Sequence, residues 1–129
     1  MSKEADPLWA LVVDTRQISR EKLAEILKDK VMLDLQTNSF MLVSEVRSHS
    51  TGRQAVLISL LAQKALSLLQ EDVVDAMSPK DLAAVSGMKG STIRPILKRL
   101  ISDGLIVRRP EGYAVHVSAF ARVAFALTK

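Results

Sequence analysis

The chain contains no cysteine, which excludes disulfide scaffolds, zinc ribbons and thiol nucleophiles and fits a reducing compartment. Its two histidines, His49 and His116, lie far apart in the sequence, so no metal site and no cofactor is expected. The longest apolar stretch, Ala55 to Leu69, is interrupted by Gln63 and Lys64. It falls short of the roughly 20 apolar residues that span a bilayer, and no membrane segment is expected. The opening MSKEADPLW lacks the basic, apolar and small-residue regions of a secretory signal, which makes a cytoplasmic location the expectation. The few Gly and Pro residues punctuate the chain without forming a linker, and no repeat or low-complexity segment is visible. Aromatics make up only 4%, but 48% of the residues are apolar and 25% charged, the balance of a chain that folds around a core. At 129 residues there is room for one compact domain with an extension, or two very small ones.

The net charge of +4 hides an asymmetry. Met1 to Met77 carries nine Lys or Arg against eleven Asp or Glu, whereas the 52 residues from Ser78 to Lys129 carry nine against three. A basic second part beside a mildly acidic first part is the pattern expected when one portion of a chain faces a polyanion and the other faces protein.

In the first part, Asp6 before Pro7 signals a short helix over Pro7 to Val13. Ser19 and Glu21 open a second, to about Lys30, with Leu23, Ile26 and Leu27 on one face. Between Val31 and Val46 the apolar run Phe40 to Val43 follows Thr37-Asn38-Ser39, so a strand or hairpin competes with a continued helix. Arg53 to about Gln70 reads as a long helix apolar almost all round, with Val56, Leu57, Leu60, Leu61, Leu68 and Leu69. It must be covered on most sides, by its own domain, the N-terminal segments or a second subunit.

Ser78-Pro79-Lys80-Asp81 combines an N-cap serine, a proline at the first helical position and an acid three residues after the cap. The helix it opens, with Leu82, Ala83 and Val85, stops at Gly87. A second helix begins near Ser91 and buries Ile93, Ile96, Leu97, Leu100 and Ile101 as one stripe, ending before Gly104. Its opposite face holds Ser91, Pro95, Lys98 and Ser102, with Arg94 and Arg99 on the flanks. Pro95 is expected within the first turn or at its edge, where few or no hydrogen bonds are lost. Leu105 to Arg109 and Tyr113 to Val117 then form two β-prone runs joined by Pro110-Glu111-Gly112, a hairpin signal with Arg108 and Arg109 at its mouth. Ser118 can cap a last helix, Ala119 to about Leu127, striped by Phe120, Val123, Ala124 and Leu127.

The run SPKDLAAVSGMKGSTIRPILKRLISDGLIVRRPEGYAVHV resembles the winged helix-turn-helix of transcription regulators such as the MarR and IclR groups. Ala83, Gly87 and Ile93 stand where that family has its small packing residue, its turn glycine and its aliphatic anchor, and Leu100-Ile101-Ser102-Asp103-Gly104-Leu105-Ile106 matches the family's passage from recognition helix to wing. The resemblance covers about 40 residues. It implies a mainly α fold with a small β-hairpin wing, residues 53–129 forming the winged domain and residues 1–52 an N-terminal extension, helical or α/β, that serves oligomerisation or a partner. It also implies double-stranded DNA as partner, with Ser91, Thr92 and Lys98 at the major groove and Lys89, Arg94, Arg99, Arg108 and Arg109 on the backbone. Serine is a permissive reader and Lys98 lacks the fork of arginine, so either Arg94 supplies the main base contact or sequence discrimination is modest. Regulators of this kind often dimerise through terminal helices, which would set two recognition helices about 34 Å apart on a near-palindromic site.

Plainer readings stand beside these. The basic helix face can be a solvated surface, and winged helices also serve as protein-contact modules, so a non-enzymatic adaptor in a larger nucleic-acid-associated complex is the alternative. His49 among Ser48, Ser50 and Thr51 lacks an acidic partner and reads as a loop residue, so no catalytic group and no enzyme is expected. Lys89-Gly90-Ser91-Thr92 inverts the order of a phosphate-binding loop and follows a helix, which discards nucleotide binding. His116 reads as a solvent-facing strand residue, and Trp9, Phe120 and Phe125 as packing residues. No effector pocket can be identified.

Overall fold

A computed structural model describes residues 7–8, 20–116 and 119–127. The expected helix over Pro7 to Val13, the capping roles of Ser19 and Ser118, and the packing of Trp9 lie outside the described residues. The chain is mainly helical with two antiparallel hairpins. Its elements are α1 (Arg20–Leu27), β1 (Val31–Asp34), β2 (Ser39–Leu42), α2 (Ser44–His49), α3 (Gly52–Leu69), α4 (Pro79–Ser86), α5 (Gly90–Ser102), β3 (Ile106–Arg109), β4 (Gly112–Val115) and α6 (Phe120–Leu127). Among the described residues no helix is long and apolar enough to cross a membrane.

Leu23, Ile26 and Leu27 are buried as their spacing demands. The helix stops short of Lys30 because Asp29 turns to a left-handed φ of 64°, and Lys30 Nζ then donates to the Ile26 carbonyl. The ambiguous stretch is a hairpin and not a continued helix. Asp34 accepts a hydrogen bond from the Gln36 amide and Asn38 adopts φ 52°, so two small polar side chains supply the turn. Phe40 and Leu42 point inward while Ser39 and Met41 point out. His49 closes α2 as its last helical residue instead of lying in a loop.

Helix α3 is the axis of the molecule. Thr51 and Gln54 form a reciprocal capping box at its start, and Val56, Leu60, Leu61, Ala62 and Leu66 have no exposed surface. At about 25 cal/mol per Å² of apolar surface, each of these leucines contributes roughly 2 kcal/mol. Ser59, equally buried, donates to the Ala55 carbonyl and leaves no polar group unsatisfied. The cover comes from the chain itself: α1, β1 and β2 pack on α3 together with α4, α5, β4 and α6. One continuous cluster of buried side chains therefore runs across the junction of residues 52 and 53, and most of α3 is covered within the chain, its last residue, Leu69, being 51% exposed.

The second part forms as its sequence signals predict. Ser78 Oγ accepts from the Asp81 amide, Pro79 occupies the first helical position, and Gly87 ends α4 with φ 76°. Ala83 is half-buried against the core, and Ile93 is fully buried. Two expectations for α5 need correction. The helix starts at Gly90, so Pro95 is its sixth residue and lies inside it; the Ser91 carbonyl thereby loses its ladder donor, in an exposed turn where water can replace it. Ile101, expected in the buried stripe, is 38% exposed, whereas Ile93, Leu97 and Leu100 carry the packing. Phe125, expected to pack, is 63% exposed.

The second hairpin is shorter than expected, with Arg109 opposite Gly112 and only Pro110 and Glu111 at the tip. It is fixed to the helices by an isolated bridge in which the Met77 and Tyr113 amides each donate to the other's carbonyl, at 2.9 and 2.8 Å.

Candidate nucleic-acid interface

Three buried residues of α5, Ile93, Leu97 and Leu100, fix which way the helix faces. The remaining positions follow from helical geometry: Ser91, Thr92, Arg94, Pro95, Lys98 and Arg99 are all exposed, as is Lys89 at the N-cap. Lys89 caps no amide with its side chain, and the first turn carries no acid. Both choices oppose helix stability, because a positive group sits at the positive end of the helix dipole where Ser, Asp or Asn would add about 1 kcal/mol. Arg94 and Lys98 stand four residues apart with like charge, which also destabilises the helix slightly.

The cations of the chain divide by what holds them. Arg53 pairs with Asp103 at 2.7 Å, Lys64 with Asp75 at 3.3 Å and Lys22 with Glu25. Arg20 donates to the Leu68 carbonyl and Arg122 to that of Gly104. Lys89, Arg94, Lys98 and Arg99 make no ion pair and no side-chain hydrogen bond among the described residues. Arg108, exposed on β3, rests its guanidinium 5.9 Å from the centre of the Tyr113 ring and is otherwise unpaired. These five residues are brought to α5, its preceding turn and the adjoining hairpin.

Arg109 is the predicted site residue that stands apart. Its side chain turns inward to Asp75, in the segment between α3 and α4, and Asp75 also holds Lys64. The Nε group is buried without a hydrogen-bond acceptor, since Glu111 is 3.9 Å away. Burial pushes the Asp75 carboxyl up, but the hydrogen bond from Arg109 and the charges of Lys64 and Arg109 outweigh it and hold the group below its ordinary value of 3.8. A carboxylate with a lowered folded pKa stabilises the fold above its unfolded pKa and loses that contribution as pH falls through the folded value. Asp75→Asn is therefore expected to cost about 1 to 2 kcal/mol at neutral pH. Urea unfolding of the variant and of the parent should converge once the pH falls far enough to protonate the Asp75 carboxyl in the folded state, below the ordinary carboxylate range; a gap that persists there would assign the loss to packing.

Sequence reasoning missed Arg53, which shares a cleft with Pro95, Ile96, Arg99 and Asp103, and Arg47, whose guanidinium lies against Gly87. Both come from elements distant in sequence from α5, and no local pattern announces such a pairing. His49 and His116 are exposed. Among the described residues no cluster of His, Asp and Glu is able to hold a metal ion. Comparison of the chain with protein-family models, with curated proteins and with solved structures finds no match, so the functional reading rests on its own residues.

Proposed function

We propose that the chain is a winged helix-turn-helix protein that binds double-stranded DNA, with α4 and α5 as the helix-turn-helix, α5 in the major groove and the β3–β4 hairpin as the wing. The observation that carries this reading is the set of unpaired cations on the outer face of α5 and at its N-cap, kept there against helix stability, whereas Arg53, Lys64 and Arg109 are held in ion pairs within the fold. Ser91, Thr92, Arg94 and Lys98 face the bases, while Lys89, Arg99 and Arg108 face phosphates. Arg109 in this reading braces the wing through Asp75. The protein carries out no chemistry of its own, requires no cofactor, and acts as a homodimeric regulator of transcription.

Because most of α3 is covered within the chain, the dimer draws on another surface. The cross-strand pair Met32 and Met41, 56% and 61% exposed, offers an apolar contact on the first hairpin. The same pair favours the second reading, a non-enzymatic adaptor docked in a nucleic-acid-associated complex. A salt titration separates the two. A dimer that neutralises about eight phosphates gives a slope of log affinity on log salt near −7. Absence of binding to any duplex, or a slope near zero, would leave only the adaptor.

A further inference from the structure

We propose that Arg47, contributed by the N-terminal part of the chain, is an additional ligand for a phosphate of the DNA backbone; the inference rests on the DNA-binding reading above. Arg47 lies on α2, outside the segment that resembles a DNA-binding motif. The fold nevertheless sets it on the turn between α4 and α5: a Cβ built on Gly87 would lie 2.8 Å from Arg47 Nη2 and 3.8 Å from its Nε. Gly87 has φ 76°, so the left-handed turn favours glycine, and the guanidinium lies over the space that a side chain there would fill. Two residues further on is Lys89, at most about 7 Å of chain away.

The surroundings of Arg47 suit an anion. Together with Ser44, Ser48, Ser86, Gly87 and Leu42 it lines a cleft of about 510 Å³ that no acidic residue enters. Ser44, Arg47 and Ser48 share one face of α2 through their spacing of three and four residues, which places two hydroxyl donors beside the guanidinium. Ser86 is already engaged, since its hydroxyl donates to the Leu82 carbonyl and accepts from the Met88 amide. Arg47 itself is exposed and makes no ion pair or side-chain hydrogen bond among the described residues. Its nearness to the C-terminal end of α4 is mildly favourable through the helix dipole, but it caps none of the last carbonyls. The guanidinium is thus positioned and left unused by the fold, as are Lys89 and the cations of α5.

The consequence is a footprint wider than α5 and the wing, with a backbone contact beside the turn between α4 and α5. The test compares the parent with Arg47→Gln, which removes the charge but keeps length and hydrogen-bonding capacity, with Arg47→Ala, and with Lys28→Ala as a control for general charge loss. Arg47→Gln and Arg47→Ala are expected to weaken duplex binding roughly five- to tenfold on every sequence and to reduce the salt slope by about one for each bound protomer. Phosphate ethylation interference should lose one position per half-site, with the melting temperature of the free protein unchanged. Parent-like slopes in both Arg47 variants, while the parent binds DNA, would overturn the role of Arg47 and leave the DNA-binding reading standing. Failure of the parent itself to bind any duplex would remove both.

Discussion

Glutamate at positions 94 and 98 together is expected to weaken duplex binding at least about a hundredfold while the fold survives. Each contact of this kind contributes about 1.5 kcal/mol, and 1.4 kcal/mol is tenfold in affinity, so losing two gives the stated factor before repulsion from phosphates is added. The fold is indifferent to the exchange for reasons visible in α5. Both side chains are exposed and unpaired, and surface changes of that type usually stay within about 0.5 kcal/mol. The like-charge relation between the two positions is unchanged in sign, and an acid near the N-terminal end of a helix is favourable where a cation is not. Fluorescence anisotropy with a labelled duplex, paired with thermal melting by circular dichroism, reads both quantities. Retained affinity in the Arg94→Glu, Lys98→Glu protein would exclude α5 as the reading element and point to protein contact instead.

The largest effect on stability is expected from Gly112→Ala. Gly112 has φ 138°, outside the range that side chains tolerate, and a Cβ there would collide with the Met77 carbonyl oxygen and come within 2.9 Å of the Ser78 amide nitrogen. These are backbone atoms, so no rotamer change relieves the contact. The strain of the conformation and the loss of the two Met77–Tyr113 hydrogen bonds together cost about 3 kcal/mol. Detachment of β4 from Met77 also loosens the hairpin whose other strand, β3, carries Arg108, so duplex affinity is expected to fall with stability, unlike in the glutamate double variant. Chemical denaturation gives the loss directly, and amide exchange at Tyr113 reports the bridge. Protection of the Tyr113 amide in the alanine variant would show that the bridge had survived.

What could be read in advance follows a physical division. Elements written in local chemistry were legible: Ser78, Pro79 and Asp81 announce the start of α4, Gly87 its end, and the aliphatic spacing from Ile93 to Leu100 the buried side of α5. The exposed cations Arg94, Lys98 and Arg99 follow from that same periodicity, since a helix with one buried stripe must present the remainder to solvent. The inward turn of Arg109 was not legible, because Asp75 is 34 residues away and periodicity carries no information on which charge meets which. Arg47 on Gly87 was hidden for the same reason. Ile101 misled because an i+8 position continues a stripe on paper, whereas β3 covers only part of the last turn. The stretch 31–46 was ambiguous because a four-residue apolar run fits either periodicity, and the turn chemistry of Asp34 and Asn38 decided it.

The bridge between Met77 and Tyr113, with Asp75 gripping Arg109 from the same segment, bears on kinetics. A hairpin tied at two points to the helical body has already lost its freedom on folding, so under the proposed function a duplex would meet a surface whose loops need not be ordered at the moment of contact. Association would then run near the rate set by diffusion and electrostatic steering, and tuning among related sites would lie in how fast the complex comes apart. In such a system any deformation required for a close fit would fall to the nucleic acid, so the bendability of a site would contribute to selection even at base pairs that no side chain reaches.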